Sequence, residues 1–201
     1  MRKSKLTLVV ILGCLAVGCR SRRCVESEAT RRAIQAAWAG DARTMRDLLA
    51  RDASIATAPG CTRGGGPIHL AAAMGHADLV RLMIEQGTSV DAVADDGYTP
   101  LRAAIVGRHN NVVAMLIAKG ANVNRRGEHD TTPLILAVEM GDADTVRLLI
   151  ERGADVNARS ARGESPLTAA ARSERPDLAA LLVARGAAFK VEVEPTSGSR
   201  R

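Results

Sequence analysis

Apolar residues recur along this chain in pairs of short runs, each pair divided by a polar turn. In the second run of a pair they stand at i, i+3 and i+4, the spacing of one buried helix face. Two copies of this pattern are Val80, Met83 and Ile84, and Val146, Leu149 and Ile150. The first run begins at a proline and carries alanine four residues later. The pattern predicts repeated units of helix, turn, helix and loop.

The prolines that begin the first runs set the length of the unit. Pro67, Pro100, Pro133 and Pro166 follow one another at a constant interval. Self-similarity at such a period is the signature of a stacked repeat array. Because each repeat buries its apolar face against its neighbours, the sequence predicts one elongated domain without a large globular core.

Residues at fixed distances from each proline predict where the helices begin and end. A hydroxyl residue precedes three prolines, where it can cap exposed N–H groups while proline supplies a helical φ. These residues are Thr99, Thr132 and Ser165. The predicted starts of the second helices are Asp78, Asn111, Asp144 and Asp177. Glycines twenty residues after each proline predict left-handed C-terminal caps; they are Gly87, Gly120, Gly153 and Gly186.

These motifs resemble the ankyrin repeat. Pro67-Ile68-His69-Leu70-Ala71-Ala72 with Gly75-His76, and Gly120-Ala121-Asn122-Val123-Asn124, are close copies of two family segments. A degenerate first copy runs from Gly40-Asp41 to Ile55. The resemblance implies an all-α fold, an ankyrin-repeat α-solenoid of about five helix-turn-helix repeats with short extended fingers. It also implies a monomeric module that binds a partner protein.

Both ends of the array depart from the family pattern in ways that suit capping repeats. Arg31, Arg32 and Arg43 give the first repeat a polar outer face, as an end repeat requires. In the fifth repeat, Glu174 and Lys190 replace a glycine and an asparagine of the pattern. The predicted layout is a signal peptide at 1–18, a linker at 19–29, repeats at 30–190 and a disordered tail at 191–201.

The N-terminus has the pattern of a secretory signal. Three basic residues precede an apolar run from Leu6 to Val17, which is too short for a membrane-spanning helix. Ala16-Val17-Gly18-Cys19 resembles a bacterial lipobox, which implies lipidation of Cys19 and a membrane anchor. Ile11-Leu12-Gly13-Cys14 is the alternative lipobox, and an ordinary cleaved signal peptide is the other alternative.

The predicted location follows from this leader. Arg20 after the cysteine does not resemble the aspartate that retains lipoproteins at the inner membrane, which favours the outer membrane, facing the periplasm. A soluble periplasmic or secreted protein is the alternative. If Cys19 is lipidated, Cys24 and Cys61 remain and can form one disulfide between fingers of neighbouring repeats. The chain-entropy model gives such a bond about 4 kcal/mol.

Charge and motif content bear on other functions. The formal charge is +6, and three positive residues lie in the leader, so the excess elsewhere is modest. With 1% aromatic residues, a nucleic-acid surface is not expected. Arginines do concentrate in the C-terminal half, as a solvated surface or as a patch for an anionic partner. They are Arg125, Arg126, Arg159, Arg162 and Arg172.

The sequence contains no phosphate loop, nucleophile elbow, His-Glu-x-x-His or Cys-x-x-Cys motif. Gly64-Gly65-Gly66 lacks the following Lys-Ser or Lys-Thr and is interpreted as a flexible finger. Glu128-His129-Asp130 is interpreted as surface, since three adjacent residues rarely converge on a metal. His69 and His76 occupy family positions that tie loops together. We expect no catalytic residue, metal, cofactor or small-molecule substrate.

The family resemblance places partners on the concave face made by finger tips and the exposed side of the first helices. The candidate partner-binding residues are Trp38, Met74, Asp95, Asp96, Tyr98, Val106, Glu128, His129, Glu139, Met140, Arg162 and Arg172. Trp38 can alternatively shield the edge of the first repeat, and the two methionines can be packing residues. Two other functions stay open: an accessory factor that stabilises or positions an envelope enzyme, and an enzyme or metal protein on a repeat scaffold.

Overall fold

The computed structural model describes residues 28–57, 65–94 and 97–188, and within these ranges ten α-helices form five consecutive pairs. The pairs are α1 (Glu28–Ala39) with α2 (Ala42–Arg51), α3 (Pro67–Ala73) with α4 (Ala77–Glu85), α5 (Pro100–Gly107) with α6 (Asn110–Ala118), α7 (Pro133–Glu139) with α8 (Ala143–Glu151), and α9 (Pro166–Arg172) with α10 (Pro176–Ala184). Short 3₁₀ segments lie at Ala53–Thr57 and Glu128–Asp130. The predicted all-α solenoid of five helix pairs is confirmed.

The helices stack in two layers. First helices pack on first helices, α1 on α3 and so on to α9, and second helices pack on one another from α2 to α8. Alanine four residues after each proline is fully buried between the layers, at Ala71, Ala104, Ala137 and Ala170. Because alanine has the smallest apolar side chain, adjacent first helices can approach closely at that point.

Hydroxyl caps begin three of the first helices, as predicted. Thr99, Thr132 and Ser165 each accept a hydrogen bond from the backbone N–H three residues later, at 3.2 to 3.4 Å. Ser165 receives a reciprocal cap, because its own N–H donates to Thr168 Oγ1 at 2.7 Å. In α3 the equivalent position is Gly66, which offers no side-chain acceptor.

The second helices begin one residue earlier than the sequence predicts, so the starts assigned to Asp78, Asn111, Asp144 and Asp177 are wrong by one position. The reason is a recurrent turn in which the residue before the second helix donates its N–H to the alanine carbonyl five residues earlier. The five donor–acceptor pairs, at 2.9 to 3.2 Å, are Asp41–Ala36, His76–Ala71, His109–Ala104, Asp142–Ala137 and Arg175–Ala170. This backbone bond sets the start.

The predicted second-helix core is largely confirmed. Val80, Met83, Val146 and Leu149 are fully buried, and the outermost predicted positions, Ile84 and Ile150, are half-buried. The four terminal glycines have φ between 85° and 94°, the left-handed conformation expected of a C-terminal cap. Within the described ranges, no helix combines the length and the apolar character needed to span a membrane.

The first repeat is the irregular one. Helix α1 begins at Glu28, two residues before the predicted boundary, and has 12 residues against seven or eight in the other first helices. Arg31, Arg32 and Arg43 are all exposed, as expected of an end repeat. The predictions for the leader, Cys14, Cys19, Cys24, Cys61, Lys190 and the tail concern residues outside the described ranges.

Candidate functional site

Three backbone hairpins form the fingers between helix pairs. The N–H of Ala94 donates to the carbonyl of Tyr98 at 2.8 Å, that of Gly127 to Thr131 at 3.1 Å, and that of Ser160 to Glu164 at 2.9 Å. These bonds stand at the same position in three successive repeats, so the three fingers close at the same place. The short extended fingers implied by the sequence are present.

Neighbouring fingers are joined to each other. The N–H of Ala161 donates to the carbonyl of His129 at 2.8 Å, and the Arg126 guanidinium donates to the carbonyl of Arg159 at 2.7 Å. Gly97 lies so near the next finger that a Cβ there would stand 2.9 Å from Gly127 Cα. The fingers therefore form one continuous edge of the stack.

A second row of contacts runs along the opposite end of the loops. Asn124 donates through Nδ2 to the carbonyl of Gly153 at 2.9 Å and accepts the N–H of Asp155 at 2.8 Å. Asn157 stands at the same position of the next repeat and makes the equivalent bonds. It donates through Nδ2 to the carbonyl of Gly186 at 3.1 Å and accepts the N–H of Ala188 at 3.0 Å. These asparagines bridge successive repeats.

His69 and Arg102 occupy the same position in successive repeats and tie helices to fingers. His69 Nε2 lies 2.9 Å from the carbonyl of Ala92, and Arg102 donates to the carbonyl of Thr131 at 2.7 Å. Burial lowers the pKa of both side chains. His69 has the structural role expected of it. Arg102 was not predicted from the sequence, although its place exactly one repeat after His69 could have revealed it.

The side chain of Tyr98 packs against His69, and only part of it faces solvent. Its ring stacks on His69 with centroids 6.2 Å apart and an interplanar angle of 22°. The side chain is half-buried, and burial raises the pKa of its hydroxyl. Tyr98 is thus a partly accessible residue whose removal would also disturb the core.

The C-terminal ends of the first helices carry the exposed apolar candidates. Trp38 is 46% exposed and Val106 is 48% exposed, whereas Met74 and Met140 are half-buried. The carbonyl of Trp38 lies 3.0 Å from His76 Nε2, and that of Met140 accepts a hydrogen bond from Arg108. Side chains of neighbouring repeats therefore hold the backbone at Trp38 and Met140, while the side chains of the four candidates differ in exposure.

In the last two repeats the same helix ends are charged. Arg172 is bridged to Glu139 at 2.6 Å and to Glu164 at 3.0 Å. Glu164 was not predicted from the sequence, because it comes from a finger and not from a helix end. Surface ion pairs of this kind contribute about 1 kcal/mol or less, so the cluster orients charges more than it stabilises the fold.

A family model described as ankyrin repeats (3 copies) matches residues 33–127 and 125–193. The chain belongs to the ankyrin-repeat family. Ankyrin repeats indicate a protein–protein interaction module with a protein partner, on a scaffold that is typically non-enzymatic. No curated protein matches the sequence.

The remaining candidates of this ankyrin-repeat protein lie on the fingers. Glu128, His129 and Arg162 are at least partly exposed, and the Glu128 carboxylate lies 3.7 Å from His129 Nδ1. Asp95 and Asp96 lie outside the described residues. Among the candidates, Glu139 and Arg172 thus form an ion pair, and Trp38 and Val106 are exposed apolar residues on different repeats. Across the described repeats, no three His, Cys, Asp or Glu side chains are grouped so as to hold a metal ion.

Proposed function

We propose that this ankyrin-repeat protein binds a partner protein on its concave face, the surface made by the exposed ends of the first helices and the finger tips. The observation that carries the proposal is the exposure of Trp38 and Val106, at 46% and 48%, on helices whose other large apolar side chains are buried or half-buried. Exposed aromatic side chains are over-represented among interface residues whose truncation costs about 2 kcal/mol or more.

The proposed surface changes character along the stack. Repeats one to three present Trp38, Met74 and Val106, and repeats four and five present Glu139 and the exposed Arg172. Apolar anchors supply affinity through burial, and charges at the margin mainly set specificity and association rate. A partner that meets this surface would bury apolar side chains against the first three repeats and place polar groups near Arg172.

Two substitutions on the proposed surface test it against two matched changes elsewhere. Trp38→Ala and Val106→Ala should each weaken partner binding at least about tenfold, which corresponds to about 1.4 kcal/mol. Arg81→Ala and Arg147→Ala alter exposed residues of the second helices and should leave affinity unchanged. The partner is first recovered from envelope extract with the wild-type protein, and affinity and thermal midpoint are then measured for each variant.

The outcome separates binding from folding. Loss of affinity with an unchanged midpoint supports the concave face. If Trp38→Ala lowers the midpoint but not the affinity of the folded fraction, the tryptophan only shields the first repeat. If the second-helix variants weaken binding instead, the surface is wrongly placed. Stoichiometric metal in the purified protein, or turnover without a partner, would contradict a purely binding role.

We also propose that the protein is exported and anchored by lipid at Cys19, on the basis of the basic and apolar leader and the lipobox-like Ala16-Val17-Gly18-Cys19. Cys19→Ala should release the protein from membranes and abolish incorporation of labelled fatty acid. Cys14→Ala is the matched control and should leave both unchanged. The reverse result would move the lipid to Cys14, and an intact Met1 on the purified protein would rule out processing.

A further inference from the structure

The outer face of the last repeat is apolar. Ala171 on α9 and Val183 on α10 are exposed, Val183 by 55%, and Ala179 is half-buried. Val138 and Val146, which stand in the preceding repeat where Ala171 and Ala179 stand in the last, are fully buried because the next repeat packs on them. The fifth repeat therefore presents the positions by which inner repeats join a neighbour. The polar outer face expected of a cap is absent at these three positions.

An open groove of about 360 Å³ lies on this face. Its lining residues are Ala170, Ala171, Glu174, Arg175, Pro176 and Ala179. The Arg175 guanidinium is already held by the Asp177 carboxylate at 2.7 and 2.9 Å and by the carbonyl of Gly141 at 2.8 Å. That hydrogen-bonded pair lowers the pKa of Asp177 to about 2, so it stays charged and paired. Apart from this pair, the groove is lined by three alanines, Pro176 and the exposed Glu174.

The chain continues beyond Ala188 with residues whose alternation suits an apolar face. Thirteen residues follow Ala188, whose N–H is held by Asn157 Oδ1 at 3.0 Å. Phe189, Val191 and Val193 alternate with Lys190, Glu192 and Glu194. In an extended segment alternate side chains point to opposite sides, so this pattern gives one apolar side and one charged side.

We propose that residues 189–194 lie across the outer face of the fifth repeat, with Phe189, Val191 and Val193 against Ala171, Ala179 and Val183. Six extended residues span about 20 Å, and the nine residues of α10 are about 13 Å long. The segment is long enough to cross the helix pair. Its charged side faces solvent and gives the array the polar end that the helices lack.

Tethering favours the tail over a second copy of the chain. A segment joined to its site by a short linker has an effective concentration of about 1 mM or more, which exceeds ordinary protein concentrations. A second copy would also have to match the same apolar face to itself about a two-fold axis. The tail thus blocks end-to-end pairing of the arrays as well as shielding α10.

Hydrogen exchange on the full chain tests the contact. The triple variant Phe189→Ser, Val191→Ser, Val193→Ser should raise amide exchange in α9 and α10 about tenfold or more, since local opening costs less without the cover. The matched triple variant Lys190→Ser, Glu192→Ser, Glu194→Ser removes the same number of side chains from the opposite side and should change exchange less than about twofold. Helices α3 to α6 serve as the internal reference.

A second substitution identifies the surface that the tail contacts. Val183→Ser should raise exchange in α10 by a similar factor, and adding it to the apolar triple variant should raise it little further, because residues in contact are non-additive. Unchanged exchange in the apolar triple variant would overturn the proposal. So would wild-type protein that is dimeric by light scattering and becomes monomeric with Val183→Ser, since the occupant would then be a second copy.

Discussion

The two ends of the stack expose different chemistry. The exposed residues of α2, in the first repeat, are Arg43, Arg46, Asp47, Ala50 and Arg51. Those of α10, in the last repeat, are Pro176, Asp177, Ala180, Val183 and Ala184. Among the described residues, neither helix has a helix pair packed on its outer side, yet only α2 has side chains suited to water there. An end repeat remains soluble alone only when its outer face is polar. The first repeat meets this condition, and the last described repeat does not.

The difference comes from composition and not from backbone geometry. The turn that joins the two helices uses the same N–H to alanine carbonyl bond at Asp41 and at Arg175, at 2.9 and 3.0 Å. Leu48 in the first repeat and Leu182 in the last are buried alike. A repeat can thus keep its internal core and still differ in whether its outer face can end the stack.

The largest expected effect is on the free energy of unfolding. It compares a residue buried between the fourth and fifth repeats with its equivalent on the outer face of the fifth repeat. Val138→Asp places an unpaired carboxylate where the side chain is 0% exposed, and we expect a loss of about 4 kcal/mol or more in the free energy of unfolding. Ala171→Asp makes the same kind of change one repeat later, at a site that the described residues leave exposed. It can at most displace the proposed tail, so the loss should be about 1 kcal/mol or less. Urea unfolding of both variants measures the difference. Equal losses would contradict the contrast between the two sites.

The next effect concerns the asparagine bridges between repeats. Asn124→Ala removes the bonds to Gly153 and Asp155, and because both partners lie near solvent we expect a loss of about 1 to 2 kcal/mol. Asn157→Ala removes the equivalent bonds at the last loop and should mainly loosen the C-terminal repeat. Hydrogen exchange distinguishes the two results, since only Asn124→Ala should expose amides on both sides of the altered loop.

The sequence predicted the repeating elements because their signals are local. The prolines and hydroxyl caps determine helix starts within three residues, and alanines and glycines mark contacts and ends. The second-helix starts were misplaced because the backbone bond to the alanine carbonyl that accompanies each of them has no residue signature. Asp41 and Asp142 could have marked two of the starts, since their side chains cap the helices that follow. The apolar end face is not evident from the pattern either. Val146 and Ala179 are both apolar and occupy the same place in the repeat, and the pattern does not show whether a further repeat packs on them.

The candidate surface was harder to predict than the fold. Tyr98 is a candidate because it is aromatic, but its ring stacks on His69, a contact between residues far apart in sequence. The link between Arg172 and Glu164 likewise depends on how close a finger comes to a helix. Trp38 is exposed whereas Ala36 and Ala37 are buried. This difference is easier to predict from the sequence, because it follows from helical periodicity.

A smaller effect is expected when pH is lowered, and it should be confined to the N-terminal half. Burial lowers the pKa of His69 from its ordinary value of 6.5, so between the two pKa values the unfolded chain binds more protons than the folded one. The free energy of unfolding should therefore fall as pH drops below 6.5, towards the folded pKa. The equivalent Arg102 stays charged over this range.

The check is a series of urea titrations from neutral to mildly acidic pH. His69→Gln keeps an N–H donor for the carbonyl of Ala92 and lacks a titrating group, so its unfolding free energy should depend less on pH than that of the wild type. Hydrogen exchange at low pH should first rise in α3 and not in α9. An unaltered pH slope in His69→Gln would assign the effect to other groups.

The smallest effect concerns strain in the last repeat. Glu174 occupies the turn position that glycine holds at Gly75 and Gly141, and its φ of 52° is left-handed. A side chain in that region costs about 1 kcal/mol or more, while glycine adds entropy to the unfolded chain. Glu174→Gly should therefore stabilise the protein by about 0.5 kcal/mol, seen as a small rise in thermal midpoint. Arg108, at φ 60°, is the matched case, but Arg108→Gly also loses the bond to Met140 and should gain less. If Glu174→Gly gains nothing, the left-handed backbone at Glu174 costs the folded protein no measurable stability.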